Sequence, residues 1–448
     1  MAALATDVRA GRLRGGDRLP AQRALARVLG VNLTTVMRAI AEAQRRGLVV
    51  GHQGRGTYVR SGARTVEHPG DAGFIDLTSN LPPEDWGADR SSVRPTLSQR
   101  LALDLGELSR GEGVSGWLRY APRGGSAADR HAGQAWLALR GVPCENDRVV
   151  VTGGADHGLF LALLALTRPG DTILAEDLTY PGLRAMAAML GRQVSPVRSD
   201  AQGLDPDDLR AACRAKKPTL LFCCPTLQNP TATILPPARR KAVITVAREH
   251  GVAILEDDVY GALVADGPAT LAALAPDLVV YATSLSKCLA PGLRVGFVTS
   301  GNDTFAARLT AAVRATTWTP PALTCAVVSR WLLDGTAAWA LAAIRREIEI
   351  RHGFAVRALA GHRVQSHPVA PHFWLRLPRG WARAAFVDRV RGHGVGVLAS
   401  DAFTATEAAP EAVRVCLGAA RDAEEARRAV TILAMTLREA HDLTPAVV

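Results

Sequence analysis

The sequence predicts an α/β protein with a small N-terminal domain and a much larger second domain. The chain has 448 residues, too many for a single hydrophobic core. From about residue 74, short apolar runs alternate with Ala- and Leu-rich stretches, the pattern of a β-sheet covered by helices on both faces. The first 60 residues hold eleven arginines and three acidic residues, so they carry +8 of the formal net charge of +11. Such a basic segment is typical of a module that binds a polyanion, although a solvated basic surface has the same composition.

Composition excludes several other classes of protein. The hydrophobic fraction is 48% and the charged fraction is 21%, values typical of a globular chain rather than a disordered one. No apolar run reaches about 18 residues, and the N-terminus lacks the apolar region of a signal peptide, so we expect no membrane segment. The seven cysteines are scattered without paired CxxC spacing. This usage predicts reduced thiols, no metal site and a cytoplasmic location.

Two short helices are predicted within the basic segment. In LPAQRALARVLG, Pro20 suits a first turn and Gly30 a C-terminal end. In NLTTVMRAIAEAQRRG, Asn32 is a plausible N-cap and Gly47 closes the helix. The apolar positions at helical spacing are Ala24, Leu25, Val28 and Leu29 in the first helix, and Val36, Ile40 and Ala43 in the second. Two helices joined by a tight turn predict a helix-turn-helix, whose second helix enters the major groove of DNA.

The stretch LVVGHQGRGTYVR predicts a β-hairpin with a glycine-rich tip, which is a wing. Residues 10–60 resemble the winged helix-turn-helix of the GntR family of bacterial regulators. The resemblance rests on GDRLP at 16–20, RALA at 23–26, GV at 30–31, TTV at 34–36, GL at 47–48 and QGRGT at 53–57. It implies binding to double-stranded operator DNA through Arg23, Thr34, Thr35, Arg38 and Arg55, residue types that suit phosphates and base edges. A winged helix used only for protein contact is the alternative.

A polar, aperiodic stretch at residues 61–73 reads as a short linker. Beyond it, the predicted strands are RVVVTGG, DTILAE, TLLFCCP, VAILEDD, VVYATS and RVGFVTS. Sheets of this kind bind ligands at the carboxyl ends of their strands. The polar residues that follow the strands are therefore the candidate site.

These strand-end residues suit the chemistry of pyridoxal 5′-phosphate. They are Gly154, Ala155, Asp156, Tyr180, Asn229, Asp257, Tyr260, Ser284, Ser286, Lys287 and Arg294. A glycine turn into a helix, with an arginine fork, suits the phosphate. An aromatic ring can stack on the pyridine, Asn and Tyr suit its phenolate oxygen, and a carboxylate keeps its nitrogen protonated. A lysine forms a Schiff base with its aldehyde.

The lysine is the most specific member of this set. The chain has 53 basic residues, of which only Lys216, Lys217, Lys241 and Lys287 are lysines. Lysine loses its proton when it is desolvated and arginine does not, so Schiff-base chemistry requires a lysine here. The other three lie in a polar turn or a charged helix, and a structural lysine is the alternative for Lys287. Asp257 is preferred over Asp258 from its spacing to Tyr260, although a helix N-cap is the alternative for Asp257.

Residues 74–440 resemble a fold-type I, class I aminotransferase domain, with the motif residues above in the family's order. The resemblance implies a mixed sheet in a large subdomain of about 110–310 and a smaller C-terminal α+β subdomain of about 320–440, within a domain spanning 74–448. It implies catalytic roles for Lys287, Asp257 and Tyr260, and a substrate-carboxylate site at Arg414. It also implies a homodimer, in which Tyr120 reaches the partner's cofactor phosphate. Asp129 and Asp156 depart from the family's pattern.

A GntR-type domain, predicted at 1–60, fused to such a domain resembles the MocR subfamily of regulators. This implies a regulator that binds operator DNA and senses an amino compound, or pyridoxal phosphate itself, through Lys287. The alternative is a working aminotransferase that acts on an amino acid, which would use the same residues. A third possibility is a cofactor-free scaffold, but the presence of all the residues that suit the cofactor would then be a coincidence. The positive charge of the first 60 residues and the complete wing favour the regulator over the aminotransferase.

Overall fold

The structure of the chain is a computed structural model that describes residues 17, 19–45, 49–52, 56–59, 73–84, 96–318, 320–406 and 408–439. By their internal contacts the residues divide into two units, Met1–Gly73 and Phe74–Val448. Apart from Gly73, the predicted linker at 61–73 lies outside the described residues, so the proposed domain bounds stay a prediction.

The N-terminal unit contains the two predicted helices and the predicted hairpin: α1 (Gln22–Leu29), α2 (Leu33–Arg45), β1 (Val49–His52) and β2 (Gly56–Val59). Gly30 ends α1 in the left-handed conformation with φ of 64°, which glycine adopts without strain. Asn32 Oδ1 accepts a hydrogen bond of 3.1 Å from Thr35 N, the N-cap interaction expected at the start of α2. Strands β1 and β2 pair antiparallel, as a wing requires.

The prediction that Val28 and Leu29 belong to an apolar inner face of α1 is wrong. Val28 is 81% exposed and Leu29 is 63% exposed, because the small core of this unit is built from α2 and its surroundings. That core comprises Leu19, Val36, Ile40, Ala43 and Val49, with Leu25 and Ala26 packed against it. Pro20 also precedes α1 instead of lying in its first turn.

The larger unit alternates helices and strands. Its helices are α3 (Leu97–Leu108), α4 (Ala127–Ala138), α5 (Ala155–Leu166), α6 (Pro181–Met189), α7 (Pro206–Lys216), α8 (Pro237–Glu249), α9 (Leu271–Leu274), α10 (Asp303–Ala315), α11 (Ala322–Leu333), α12 (Thr336–Ala358), α13 (Arg383–Gly392) and α14 (Ala423–Arg438). Its strands are β3 (Ile75–Asp76), β4 (Val150–Thr152), β5 (Thr172–Glu176), β6 (Gln193–Val197), β7 (Ser199–Asp200), β8 (Gly203–Leu204), β9 (Leu220–Cys223), β10 (Ala253–Asp257), β11 (Val279–Ser284), β12 (Gly296–Ser300), β13 (Arg363–Gln365), β14 (His372–Arg376), β15 (Val395–Gly396), β16 (Leu398–Ala399) and β17 (Ala412–Cys416). Short 3-10 segments are Glu112–Leu118, Asn146–Arg148, Gly261–Leu263, Pro291–Leu293, Ser400–Ala402 and Leu417–Ala419.

The central sheet has seven strands in the order β4-β12-β11-β10-β9-β5-β6. Strand β12 runs antiparallel to both of its neighbours, so the sheet is mixed as predicted. All six predicted strands are present. The seventh, β6, was missed because Gln193 and Pro196 interrupt its apolar pattern. Proline is tolerated there because β6 is an edge strand.

A second, antiparallel sheet belongs to the C-terminal subdomain, in the order β13-β14-β17-β16. Helices α12, α13 and α14 cover one of its faces, and Phe373, Leu375, Val413 and Val415 lie in the core between them. The short strand β3 pairs with β15 and leads directly into the segment 78–83. Among the described residues, no single helix is long and apolar enough to cross a membrane, although two sharply bent helix pairs reach that length and composition together.

Candidate functional site

A cavity of about 290 Å³ lies at the carboxyl ends of the central strands, where the sequence predicts the site. It is named here the Lys287 cavity. The predicted residues that line it are Ala155, Asp156, Tyr180, Asn229, Asp257, Tyr260, Ser284, Ser286, Lys287, Arg294 and Arg414. Strand ends separated by more than a hundred residues are thus brought together by the parallel order of β5, β9, β10 and β11 and by the loops that follow.

Lys287 lies in the loop after β11 with its amine inside the cavity wall. Its Nζ donates a hydrogen bond of 2.8 Å to the main-chain oxygen of Asn80. Burial lowers the pKa of Lys287 from its usual value, and this raises the share of neutral, nucleophilic amine. Beside it, the Ser286 hydroxyl is buried without a partner.

The structure separates the two adjacent acids. Asp258 points away from the cavity and accepts hydrogen bonds from Arg140 Nε at 3.0 Å and from the Tyr281 hydroxyl at 2.7 Å. Asp257 lines the cavity, and its Oδ1 is buried without a partner. Burial, with the nearby charges of Asp156 and Asp258, raises the pKa of Asp257 to about 8. A cationic N–H donor in the cavity is the partner that this carboxyl lacks.

The glycine turn before α5 leads into Ala155 and Asp156, which line the cavity. Gly154 has φ of 91°, a backbone conformation that glycine adopts without strain, and a side chain there would place Cβ 2.9 Å from Arg294 Nη2, which would have to move. Arg294 Nη2 lies 3.5 Å from Asp156 Oδ2, and the Tyr180 hydroxyl donates to Asp156 Oδ1 at 2.7 Å. The N-terminus of α5 and the guanidinium together provide a site for an anion.

Arg414 comes from β17 of the C-terminal subdomain. Its Nη1 donates to Asn229 Oδ1 at 2.8 Å and its Nη2 to the main-chain oxygen of Thr78 at 2.6 Å, while Nε is buried without a partner. These bonds fix the plane of the guanidinium at the cavity wall. Because Asn229 Oδ1 accepts this bond from Arg414, the Nδ2 group of Asn229 is left to donate hydrogen bonds to a ligand.

A buried chain of hydrogen bonds behind Tyr260 was not predicted. Asn80 Nδ2 donates to the Tyr260 hydroxyl oxygen at 2.9 Å and to His372 Nδ1 at 2.9 Å. His372 Nε2 lies 3.1 Å from the main-chain oxygen of Gln228, which can only accept, so Nε2 carries the proton and Nδ1 accepts. Burial, with the charge of Arg414, lowers the pKa of His372 to about 3. The polar run TSN before Pro82 was the only sequence signal for Asn80.

Two of the predicted site residues, Gly154 and Tyr120, are not among the residues that line this cavity in the single chain. Tyr120 is 93% exposed and contacts the ring of Trp318 with centroids 6.1 Å apart. Asp129, noted as a departure, forms a capping box with Ser126 at the start of α4 and also accepts a hydrogen bond of 2.8 Å from Ser329. Its carboxylate therefore has a structural role.

The predicted DNA contacts fall on the surface of the N-terminal unit. Arg23, Thr34, Thr35 and Arg38 are all exposed, on α1 and on the first turns of α2. The opposite side of α2 carries the buried Val36 and Ile40. Arg55 lies outside the described residues.

Comparison with known proteins defines the class of this protein. Residues 73–433 match the sequence model of the aminotransferase class I and II family, and residues 1–59 match that of the bacterial regulatory proteins of the gntR family. The chain therefore belongs to the aminotransferase class I and II family and carries an N-terminal gntR-type helix-turn-helix domain. This composition is that of a MocR-type regulator.

Relatives with both parts bear names of regulators. The chain is 28% identical over 435 residues to the uncharacterised HTH-type transcriptional regulator YdeF of Bacillus subtilis, covering 96% of this chain and 92% of YdeF. It is 29% identical over 419 residues to the HTH-type transcriptional regulator TauR of Rhodobacter capsulatus, covering 86% of this chain and 84% of TauR. These relatives favour a DNA-binding regulator over an aminotransferase alone.

Solved structures share the fold of the larger unit. The α-aminoadipate aminotransferase LysN from Thermus thermophilus, complexed with N-(5′-phosphopyridoxyl)-L-leucine, superposes with a TM-score of 0.74 at 23% identity, covering 83% of this chain and 94% of LysN. A kynurenine aminotransferase from Pyrococcus horikoshii superposes with a TM-score of 0.73 at 22% identity, covering 84% and 92%. The predicted fold type is thereby confirmed.

Proposed function

We propose that this protein is a transcriptional regulator that binds operator DNA through residues 1–60 and recognises an amino compound, or pyridoxal 5′-phosphate itself, in the Lys287 cavity. The observation that carries the proposal is the set of groups that meet in this cavity, in a chain that also has a gntR-type domain. They are a desolvated lysine, a buried Asp257 oxygen without a partner and a glycine-lined anion site at Arg294. We propose a cytoplasmic location, where such a regulator meets DNA.

The residues present fit pyridoxal phosphate. Asp257 Oδ1 lacks the donor that a pyridinium nitrogen provides, and a phosphate suits the α5 N-terminus and Arg294, where it would compete with the Asp156 carboxylate. Tyr180 lies at the cavity wall, where its ring suits a flat partner. When bound, the cofactor supplies an aldehyde that condenses with primary amines and an electron-accepting ring.

The protein's own groups prepare this chemistry. Burial lowers the pKa of Lys287, which favours its neutral amine, and the Asn80 carbonyl orients it. Asn80 Nδ2 already donates to the Tyr260 oxygen, so the Tyr260 proton is left for an acceptor in the cavity. Burial raises the pKa of Tyr260, which keeps that proton in place at neutral pH. Arg414, held by Asn229 and Thr78, suits the carboxylate of an amino acid.

We further propose a homodimer in which the exposed Tyr120 reaches the partner's cofactor phosphate. The Tyr120 side chain is 93% exposed, so the described residues of its own chain do not bury it. A dimer would also present two winged helices to two half-sites of an operator. Light scattering at micromolar concentration should find a dimer, and a monomer there would contradict this proposal.

Borohydride trapping tests the covalent part of the proposal. Full-length protein incubated with pyridoxal phosphate and reduced should carry the label on the peptide that contains Lys287. Lys287→Ala should lose the label, whereas Lys241→Ala, which removes an exposed helical lysine, should keep it. A label elsewhere, or none, would contradict the assignment of Lys287.

DNA binding tests the regulatory part. DNA from upstream of the protein's own gene should bind the full chain, and a panel of amino compounds should alter that affinity in the wild type but not in Lys287→Ala.

The alternative, a working aminotransferase, is favoured by the presence of both Lys287 and Arg414 in the cavity. Many rounds of amino transfer to a 2-oxo acid, without any DNA response, would decide for the enzyme.

A further inference from the structure

The larger unit has a second cavity, of about 760 Å³, that is separate from the Lys287 cavity. It lies where the strand ends of β5 and the β7–β8 turn face strands β13 and β14 of the C-terminal subdomain. The two cavities share no lining residue, although they are neighbours: Gln228 lines the second cavity and Asn229 the first. The proposed function assigns no role to this space.

Two arginines stand opposite each other on its wall. Arg363 on β13 and Arg376 on β14 are direct partners in the antiparallel register, and both line the cavity. Like charges directly opposite each other on paired strands are destabilising. Within the part of the chain that the structure describes, neither guanidinium has an ion-pair or hydrogen-bond partner. An anion between them would remove the repulsion and use their free N–H groups.

Among the residues of the cavity wall that the structure describes, the carboxyl groups do not neutralise this pair. Asp200 is paired with Arg239 at 2.6 Å. Burial, partly offset by hydrogen bonds from Cys224 N and Gln228, raises the pKa of Glu176 to about 8, so this group is mostly neutral at pH 7. Asp177 remains, half-buried, as an acceptor on the cavity wall.

The hydroxyl groups of Thr231, Thr233 and Thr406 on the wall act as acceptors, whereas the Ser199 hydroxyl, also on the wall, has no partner among the described residues. Thr231 donates to Gln228 Oε1 at 2.7 Å and Thr406 to the Ala408 oxygen at 2.9 Å. Thr233 accepts from Gln365 Nε2 at 2.6 Å and lies 2.9 Å from Thr231 Oγ1. These protons are already committed, so the oxygens that remain suit ligand donors such as a hydroxyl or an ammonium group.

We propose that the second cavity binds a small organic acid with two carboxylates and at least one hydrogen-bond donor, held between Arg363 and Arg376. The carboxylates pair with the two guanidinium groups, and the donor faces the threonine oxygens and Asp177. A volume of about 760 Å³ is ample for such a molecule and lies in the range of ligand pockets. The site is separate from the proposed one at Lys287, and its ligand need not react.

Three related probes test the chemistry by isothermal titration at pH 7 on the full-length protein. Malate has two carboxylates and a hydroxyl, succinate lacks the hydroxyl, and lactate lacks the second carboxylate. Malate should bind most tightly, with succinate and lactate each about tenfold weaker or more, because a hydrogen bond to a charged group contributes roughly that factor. Equal affinities for the three would overturn the proposal.

Matched variants locate the binding. Arg363→Ala/Arg376→Ala should weaken malate binding about tenfold or more. The control Arg379→Ala/Arg391→Ala removes two exposed charges from the same subdomain, outside the cavity, and should leave it unchanged. Arg414→Gln and Lys287→Ala should also leave it unchanged. Loss of binding in Arg414→Gln, with retention in the Arg363/Arg376 variant, would place malate in the Lys287 cavity and overturn the proposal, whatever the fate of the regulator itself.

Discussion

The Tyr180 hydroxyl donates a hydrogen bond of 2.7 Å to Asp156, whose other oxygen lies 3.5 Å from Arg294. The Asp156 carboxylate therefore competes with a phosphate for Arg294. It also adds negative charge where the phosphate would bind. Asp156 and Arg294 are both about half-exposed, so water screens their interaction.

Asp156→Asn should strengthen the binding of pyridoxal phosphate. An asparagine oxygen can still accept from Tyr180, while the repulsion and the competition for Arg294 are lost. The expected gain is up to about fivefold in affinity, the range of exposed charge pairs. Absorbance titration of the cofactor-free protein measures it. Asp147→Asn, which removes an exposed carboxylate at the other end of β4 that does not line the cavity, should have no effect. Equal or weaker binding in Asp156→Asn would contradict the role given to Asp156.

Asn80 should stabilise the larger unit through its two donated bonds. Asn80→Ala leaves His372 Nδ1 buried without a donor and removes one bond to Tyr260, so the free energy of unfolding should fall by about 1–3 kcal/mol. Urea denaturation followed by circular dichroism measures it. Asn80→Asp is the sharper variant, because it keeps the size but loses both donors when ionised. If Asn80→Asp were as stable as the wild type at pH 8, the donor role would be wrong.

The strand-end residues could be predicted because each follows an apolar strand, and parallel strands end at one edge of the sheet. Asp257 could even be chosen over Asp258, since its spacing to Tyr260 reflects the turn that leaves β10. Asn80, in contrast, sits in a segment without periodicity and reaches the cavity only through the pairing of β3 with β15, about 320 residues away in sequence. His372 likewise depends on the docking of the C-terminal subdomain, which no local pattern encodes. The exposure of Val28 and Leu29 could not be predicted for the same reason. Helical spacing identifies the apolar face of a helix, but it does not show which other residues pack against that face.

DNA binding should depend on salt through arginines of the recognition helix. Arg38→Ala should weaken binding to DNA of any sequence and reduce the slope of log affinity against log salt by about 1 if Arg38 contacts a phosphate. Fluorescence anisotropy between low and moderate salt measures the slope. Arg314→Ala, which removes an exposed charge from α10 in the other unit, is the control. An unchanged slope in Arg38→Ala would remove Arg38 from the interface with the DNA backbone.

In the cofactor-free protein, the buried Asp257 should lower the free energy of unfolding. Burial, aided by Asp156 and Asp258, raises the folded-state pKa of Asp257 to about 8, above its usual 3.8. The folded state thus binds this proton more tightly than the unfolded state, and Asp257 lowers stability increasingly as pH rises from about 4 towards 8. Asp257→Asn removes that penalty, so its stability relative to the wild type should rise between pH 5 and 8, by at most about 1.4 kcal/mol per pH unit. Asp258→Asn, which breaks the pair with Arg140, should destabilise instead. Denaturation at several pH values distinguishes these results, and a difference between Asp257→Asn and wild type that does not change with pH would show that Asp257 is not the strained acid.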